Sequence, residues 1–286
     1  MTAEMLKQQL YVERFENIVV ACGDNFADAL GGSYLAAKKG APILLVKSSR
    51  IEEVKDFIRY SLVPGGTVYL LGGTAAIPAA MDKGLDGFNV KRLAGATRYD
   101  TNLLILEEAG VTNEDILICT GKNFADSLSA AAAGRPILLV KDSLNDSQKA
   151  FLQSHAANKK YILGGTAAVT TRVENQAKAY GTVERIGGNT RYETSVLIAK
   201  EFFPHARQAA LAYAQNFPDG LSGGALAYAM KAPLVLTASG KEAAAAAYAK
   251  EQGITSGVIF GGNGLISDKA ARTIFQMQSG DTIQIG

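Results

Sequence analysis

Asn25-Phe26-Ala27-Asp28 recurs as Asn123-Phe124-Ala125-Asp126 and again as Asn216-Phe217-Pro218-Asp219, at offsets of 98 and 93 residues. An apolar run follows each copy: Pro42-Ile43-Leu44-Leu45-Val46, Pro136-Ile137-Leu138-Leu139-Val140 and Pro233-Leu234-Val235-Leu236. Further on come Gly72-Gly73-Thr74, Gly164-Gly165-Thr166 and Gly261-Gly262-Asn263. Thr97-Arg98-Tyr99-Asp100-Thr101 reappears as Thr190-Arg191-Tyr192-Glu193-Thr194. Four markers in one fixed order are the signature of a repeat architecture. The chain reads as three tandem units, expected at 1–90, 91–184 and 185–286. Thr2 falls where Thr101 and Thr194 fall, so the first unit is expected to lack its Arg-Tyr pair. Thr282-Ile283-Gln284-Ile285-Gly286 aligns with Val183 to Gly187 and then stops. Both ends read as trimmed at unit boundaries, so the missing basic-then-apolar leader says nothing about location.

Within one unit, short apolar runs alternate with helical periodicity. Ile18–Ala21, Ile43–Val46, Thr67–Leu71 and Val90–Leu93 read as strands. Asp28–Lys39 reads as a helix stopped by Gly40, Ile51–Leu62 as an amphipathic helix, and Tyr99–Glu108 as another. Pro64-Gly65-Gly66 reads as a turn, and Pro78–Gly84 as a short helix. Strands alternating with helices imply an α/β fold: three tandem βα units with mostly parallel sheets and helices on both faces. The second unit has four residues fewer between its Asn-Phe motif and its proline, which predicts a first helix shorter by about one turn.

Composition narrows the function. Apolar residues make up 48% and charged residues 20% of the 286 residues, which excludes a disordered chain. A net charge of +2 excludes a nucleic-acid binder that works through bulk charge. No apolar run is long enough to span a bilayer. Two Cys and two His leave no disulfide framework or His-rich metal site. Cys22 and Cys119 stand one step out of register and read as small buried fillers, and His155 and His205 occupy non-equivalent surface places. No catalytic constellation repeats, and no cofactor or metal site is expected.

The recurring polar positions carry the chemistry. Asn25, Asp28, Asn123, Asp126, Asn216 and Asp219 lie between a strand and a helix, at the carboxyl end of the sheet where open α/β folds bind ligands. They cap helix N–H groups or they face a ligand. Gly72, Gly73, Thr74 and Gly164, Gly165, Thr166 form a tight turn, or let a ligand approach the backbone. Arg98 and Arg191 stand at helix starts, where the macrodipole disfavours a cation. Either a protein carboxylate, such as the motif Asp, compensates, or an external anion does.

These motifs, with Arg92-Leu93-Ala94-Gly95 leading into Thr97-Arg98-Tyr99, resemble the type 2 cell-wall-binding repeat of clostridial surface-layer and cell-wall proteins. The resemblance covers essentially the whole chain in three copies. It implies α/β units packed around a pseudo-threefold axis. It also implies non-covalent attachment of a secreted surface protein to an anionic, teichoic-acid-like secondary polymer of the Gram-positive wall, without catalysis and with any effector domain outside this sequence. The family's anchoring strand corresponds to Ile43-Leu44-Leu45 and Ile137-Leu138-Leu139; physically, such residues belong to a core or to packing between units. The third copy departs at Leu234-Val235-Leu236, Pro218 and Asn263, so its site is expected to differ. Anion binding would require Arg98, Arg191, Arg92, Arg185 and nearby Lys to cluster. The rivals are a metal-dependent phosphoester- or nucleotide-processing enzyme using Asp28, Asp126 and Asp219, and a purely structural lattice scaffold.

Overall fold

A computed structural model of the chain describes residues 2–26, 28–278 and 281. The first unit runs α1 (Thr2–Leu10), β1 (Phe15–Cys22), α2 (Gly32–Lys39), β2 (Ile43–Val46), α3 (Ile51–Ser61), β3 (Leu62–Leu71) and β4 (Asn89–Leu93). The second runs α4 (Arg98–Ala109), β5 (Ile116–Thr120), α5 (Ala125–Ala130), β6 (Ile137–Val140), α6 (Asp146–Ser154), β7 (Lys160–Leu163), α7 (Thr171–Lys178) and β8 (Val183–Ile186). The third runs α8 (Arg191–Phe202), β9 (Ala209–Tyr213), α9 (Pro218–Ala229), β10 (Leu234–Thr237), α10 (Ala243–Gln252), β11 (Gly257–Phe260) and α11 (Asp268–Phe275).

Each unit has its own sheet, ordered β2-β1-β3-β4, β6-β5-β7-β8 and β10-β9-β11, and every pairing is parallel. The segment Thr282–Gly286, aligned above with Val183 to Gly187, lies outside the described residues. The central strands are covered on both faces, as parallel sheets require, and Ile116 to Cys119 are fully buried. One buried cluster runs from Leu6 through Leu117 to Leu226 and Phe260, so the units share a continuous core.

Three details differ from the sequence reading. Pro64-Gly65-Gly66 does not precede β3 but loops out within it, because Phe15 pairs with Leu62 while Asn17 pairs with Thr67. The helix after the first Asn-Phe motif begins only at Gly32, behind a turn. The segment near Pro78 is a single tight 3-10 turn, Ala79–Asp82. The second-unit helix is shorter than that of the first, but by two residues rather than a full turn: α5 has 6 residues and finishes as a 3-10 turn over Ala131–Ala133, against 8 in α2, whose own first turn is spent before Gly32.

The Ile-Leu-Leu strand of the second unit is core, whereas Leu44 and Leu45 of the first are half-buried. Ile137, Leu138 and Leu139 are buried, and Asn102 on α4 clamps their backbone. Its Nδ2 donates to the Ile137 carbonyl at 2.8 Å, and the Leu139 N–H donates to its Oδ1 at 2.8 Å. Ser195 does half of this work in the third unit, accepting from the Leu236 N–H at 3.1 Å. Both cysteines are buried and free. His205 is exposed, whereas His155 is half-buried against Phe151, 4.5 Å between centroids.

Helix packing closes the three units into a ring. The opening helix of each unit packs on the first inter-strand helix of the unit before it: α4 on α2, α8 on α5, and α1 on α9. The inner helices α2 and α9, and α5 and α9, also touch one another. Small residues permit that approach. A side-chain carbon at Gly220 would lie 2.7 Å from Leu128 Cδ2, and one at Gly224 2.8 Å from Ala131 Cβ.

Candidate functional site

The Asn-Phe motifs leave the carboxyl ends of β1, β5 and β9, the central strands, and converge. Ring centroids are 5.7 Å apart for Phe26 and Phe124, 5.7 Å for Phe26 and Phe217, and 6.1 Å for Phe124 and Phe217. Three nearly equal edges place a triangle of rings on the pseudo-threefold axis, in the edge-on and tilted geometries aromatic pairs prefer. These phenylalanines were not among the sequence candidates. Their signal was an aromatic in the same place in all three motifs.

The surrounding polar side chains are sorted by depth. Asn25, Asn123 and Asn216 are exposed. Asn123 Oδ1 accepts from the Ala125 N–H at 3.2 Å, and Asn216 Oδ1 from the Phe217 N–H at 2.9 Å, so both shape the turn. The N-cap places themselves fall to Phe124 and Phe217, which offer no side-chain acceptor.

Asp28, Asp126 and Asp219 lie deeper, half-buried, each against its own glycine turn. A side-chain carbon at Gly72 would come 2.4 Å from Asp28 Oδ2, one at Gly164 2.4 Å from Asp126 Oδ2, and one at Gly261 3.2 Å from Asp219 Oδ2. The same glycines sit at φ 112°, 101° and 124°, which L side chains avoid. Close approach and backbone both demand glycine there. The next residues, Gly73, Gly165 and Gly262, look onto open space within 4 Å, and Thr74, Thr166 and Asn263 are exposed on the rim.

Arg98 and Arg191 each cross a junction between units. Arg98 Nη1 donates to the Gly121 carbonyl at 2.8 Å, and its guanidinium carbon lies 6.0 Å from the centre of the Phe26 ring. Arg191 Nη1 donates to the Ala214 carbonyl at 2.6 Å, 5.5 Å from the Phe124 ring centre. Among the described residues neither forms a salt bridge, so the anticipated direct ion pair with the motif Asp is replaced by a longer-range attraction. Burial raises the Asp28 carboxyl, while the Arg98 charge and a Thr101 hydrogen bond pull it back. Burial pushes Asp126 up to about 6 against the pull of Arg191. Asp219 is raised by burial, with no opposing cation among the described residues. The helix starts find their negative charge elsewhere. Thr97 and Asp100 form a capping box at α4, and Thr190 Oγ1 accepts from the Glu193 N–H at α8.

Two further cations drop out of the expected cluster. Arg92 holds both Asp82 oxygens, at 3.0 and 2.7 Å, and donates to the Gly72 carbonyl. Arg185 likewise binds Glu174 and donates to the Gly164 carbonyl. Both brace the glycine turns from behind. Beside Gly121 a cleft of about 200 Å³ opens between Tyr99, Lys141, Ser143, Asn145 and Gln148. Among the described residues no three His, Cys, Asp or Glu side chains gather as a metal site, since each motif Asp keeps to its own turn.

The face thus offers two guanidinium groups, an aromatic centre and open glycine backbone. Known proteins resemble the chain as a whole. N-acetylmuramoyl-L-alanine amidase LytC of Bacillus subtilis (strain 168) is 28% identical over 295 residues, covering 99% of this chain and 58% of that protein. Amidase enhancer of the same organism is 31% identical over 216 residues, 73% of this chain and 29% of that protein. Among solved structures, Cwp8 from Clostridium difficile superposes with a TM-score of 0.83 at 25% identity, over 97% of this chain and 50% of that one. Cwp6 from Clostridium difficile gives 0.77 at 24% identity, over 96% and 46%, and so bears on the fold alone. The chain therefore spans little more than half, or less, of each of these proteins. The family model described as cell wall binding domain 2 (CWB2) matches three times in tandem, at residues 2–82, 92–174 and 185–271, and the chain belongs to that family.

Proposed function

We propose that this cell-wall-binding chain attaches the protein that carries it to the wall non-covalently, by holding an anionic wall polymer at the carboxyl-end face. Its repeats are taken as 1–90, 91–184 and 185–286. The observation that carries the reading is the pair Arg98 and Arg191. Each guanidinium spends one N–H on a backbone carbonyl, forms no salt bridge among the described residues, and lies over a ring at a unit junction. The remaining N–H donors match a phosphodiester or carboxylate, which Arg binds in paired fashion. Asn25, Asn123, Asn216 and the rim Thr74 and Thr166 supply hydrogen bonds to sugar hydroxyls, and Gly73 and Gly165 allow the polymer to reach the backbone. Tyr99 and Lys141 in the adjoining cleft extend the site with a ring for stacking and another cation. A repeating polymer can engage more than one junction at once, so weak contacts add up by effective concentration. The amidase activity named for LytC belongs to a protein of which this chain matches 58%, and it is not carried over.

Sedimentation with isolated Gram-positive walls tests the proposal. The chain should pellet with intact walls, stay in solution with walls stripped of their anionic polymer, and be released as salt rises. Arg98→Gln with Arg191→Gln should weaken retention about tenfold or more while circular dichroism stays unchanged. Equal retention on stripped walls, or an unaffected folded double variant, would refute it.

A further inference from the structure

The two junctions that carry an arginine share a core and differ around it. At the first, Arg98 donates to the Gly121 carbonyl, and at the second, Arg191 donates to the Ala214 carbonyl. Tyr99 follows Arg98, and its ring lies where a side-chain carbon at Gly121 would come within 2.6 Å of Cε1. Ala214 carries that carbon, so Tyr192 cannot lie in the same place. The Tyr99 ring flanks the cleft of about 200 Å³ formed with Lys141, Ser143, Asn145 and Gln148. Counted from Val140 and Thr237, which end β6 and β10, their counterparts in the third unit are Ala238, Gly240, Glu242 and Ala245.

The floor of the first cleft is held rigidly. Gln148 is buried, its Nε2 donates to the Leu139 carbonyl at 2.7 Å, and its Oε1 accepts from the Asn145 N–H at 2.9 Å. Asn145 Oδ1 accepts from the Gln148 N–H at 2.8 Å, which pins the amide and leaves its Nδ2 donors unengaged among the described residues. Lys141 Nζ, Ser143 Oγ and the Tyr99 hydroxyl are likewise unengaged among them. Burial raises the Tyr99 hydroxyl, the charges of Arg98 and Lys122 pull it back, and Asp142 adds to the rise. Asp142 is already held by Lys122 at 2.6 and 2.8 Å, so Arg98 and Lys141 leave a surplus of positive charge beside the ring. The second junction has Gln215 in place of Lys122 and Ala238 in place of Lys141. Where Asn145 offers donors, Glu242 brings a carboxylate that caps no helix N–H and keeps one oxygen buried without a partner among the described residues.

We propose that the cleft beside Tyr99 is the primary phosphate subsite of the chain, taking one sugar phosphodiester with its phosphate among Lys141, Ser143 and Asn145 and its sugar against the Tyr99 ring, while the second junction holds phosphate more weakly. This deepens the wall-binding reading and rests on it. The donors come from three separate side chains. A tetrahedral phosphodiester turns its oxygens to several directions, whereas a carboxylate confines two to one plane. Once the first junction is filled, a tethered polymer meets the weaker one at raised effective concentration.

Titrating the whole chain with methyl glucosyl phosphate, a diester of single charge, and following backbone amide NMR shifts tests this. Saturable change should centre on Tyr99, Ser143 and Asn145, about tenfold tighter than at Tyr192 and Gly240. Lys141→Ala should weaken it about fivefold or more with circular dichroism unchanged, and Asn145→Glu, which copies the third unit, should weaken it further. Glu242→Gln should strengthen binding at Tyr192. Glucuronate, of equal charge, should bind more weakly than the diester. Absence of saturable change, equal affinity at the two junctions, glucuronate binding as tightly as the diester, or a folded Lys141→Ala that binds unchanged would overturn the proposal. Wall sedimentation separates the two failures: a chain that still pellets with intact walls after such a result keeps the wall reading and loses this subsite, whereas one that ignores intact walls loses both.

Discussion

Replacing Asp126 by Asn should stabilise the protein at neutral pH. Asp126 lies half-buried beneath Gly164, and burial pushes its carboxyl up to about 6, from an ordinary 3.8, in spite of Arg191. The native state therefore holds this proton more tightly than the unfolded chain. The resulting stability is fully present below 3.8 and is lost as pH rises through about 6. At 1.36 kcal/mol per tenfold change in proton affinity, the gap corresponds to about 3 kcal/mol above that range. Asn keeps the shape and cannot ionise. It forgoes the attraction to Arg191, but that attraction is already contained in the net position near 6. The Asp126→Asn variant should exceed the parent by about 2–3 kcal/mol near pH 8, with the difference closing towards pH 4. Urea unfolding followed by circular dichroism across that range measures it. A parent at least as stable as the variant near pH 8, or a gap that ignores pH, would refute the claim that burial outweighs the arginine here.

Asn102→Ala should cost about 2–5 kcal/mol in the same assay, because the Ile137 carbonyl and the Leu139 N–H both lose a buried partner. Ser195→Ala removes one such bond and should cost about 1–3 kcal/mol. Gly164→Ala meets both a positive φ and Asp126 Oδ2 at 2.4 Å, so its melting temperature should fall well below that of Gly165→Ala, whose new carbon meets nothing within 4 Å. Gly165→Ala should instead show its effect as weaker retention on walls.

The repeat, the parallel sheets and the core strands were legible because each rests on local pattern: apolar runs, helical spacing and glycine stops. The tight-turn reading of the glycines was legible too, but not its second cause, that Gly72 must leave room for Asp28 as well as take a positive φ. What sequence could not show was partner choice across space. Arg92, Arg98, Arg185 and Arg191 look alike on paper. Arg92 and Arg185 come from β4 and β8 and meet carboxylates of the unit whose sheet those strands close, whereas Arg98 and Arg191 come from helix starts and reach the aromatic ring of the preceding unit. The Phe triangle was hidden for the same reason, because its successive members are 98 and 93 residues apart. Lys160, fully buried with its ammonium donating to the carbonyls of His155, Ala156 and Tyr180, likewise gave no sign in a sequence where lysine usually marks a surface.

The proposed anion-binding face is lined by three aspartates, and burial resolves that conflict. Asp126 stands near its own proton-binding midpoint just below neutral pH, with Arg191 beside it. An arriving phosphate adds negative charge there, which favours the protonated acid further, so binding should draw a proton from solution. Once protonated, Asp126 no longer competes with the polymer for Arg191. Attachment should accordingly tighten as pH falls from about 8 to about 5, with fractional proton uptake between those limits. Calorimetric titration of purified wall polymer, near pH 6.5 in two buffers of different ionisation enthalpy, reads that uptake directly. The apparent heats should differ between buffers for the parent, and the difference should shrink for Asp126→Asn. Buffer-independent heats in the parent would mean that the polymer does not come near Arg191, and the second junction would lose its place in the site.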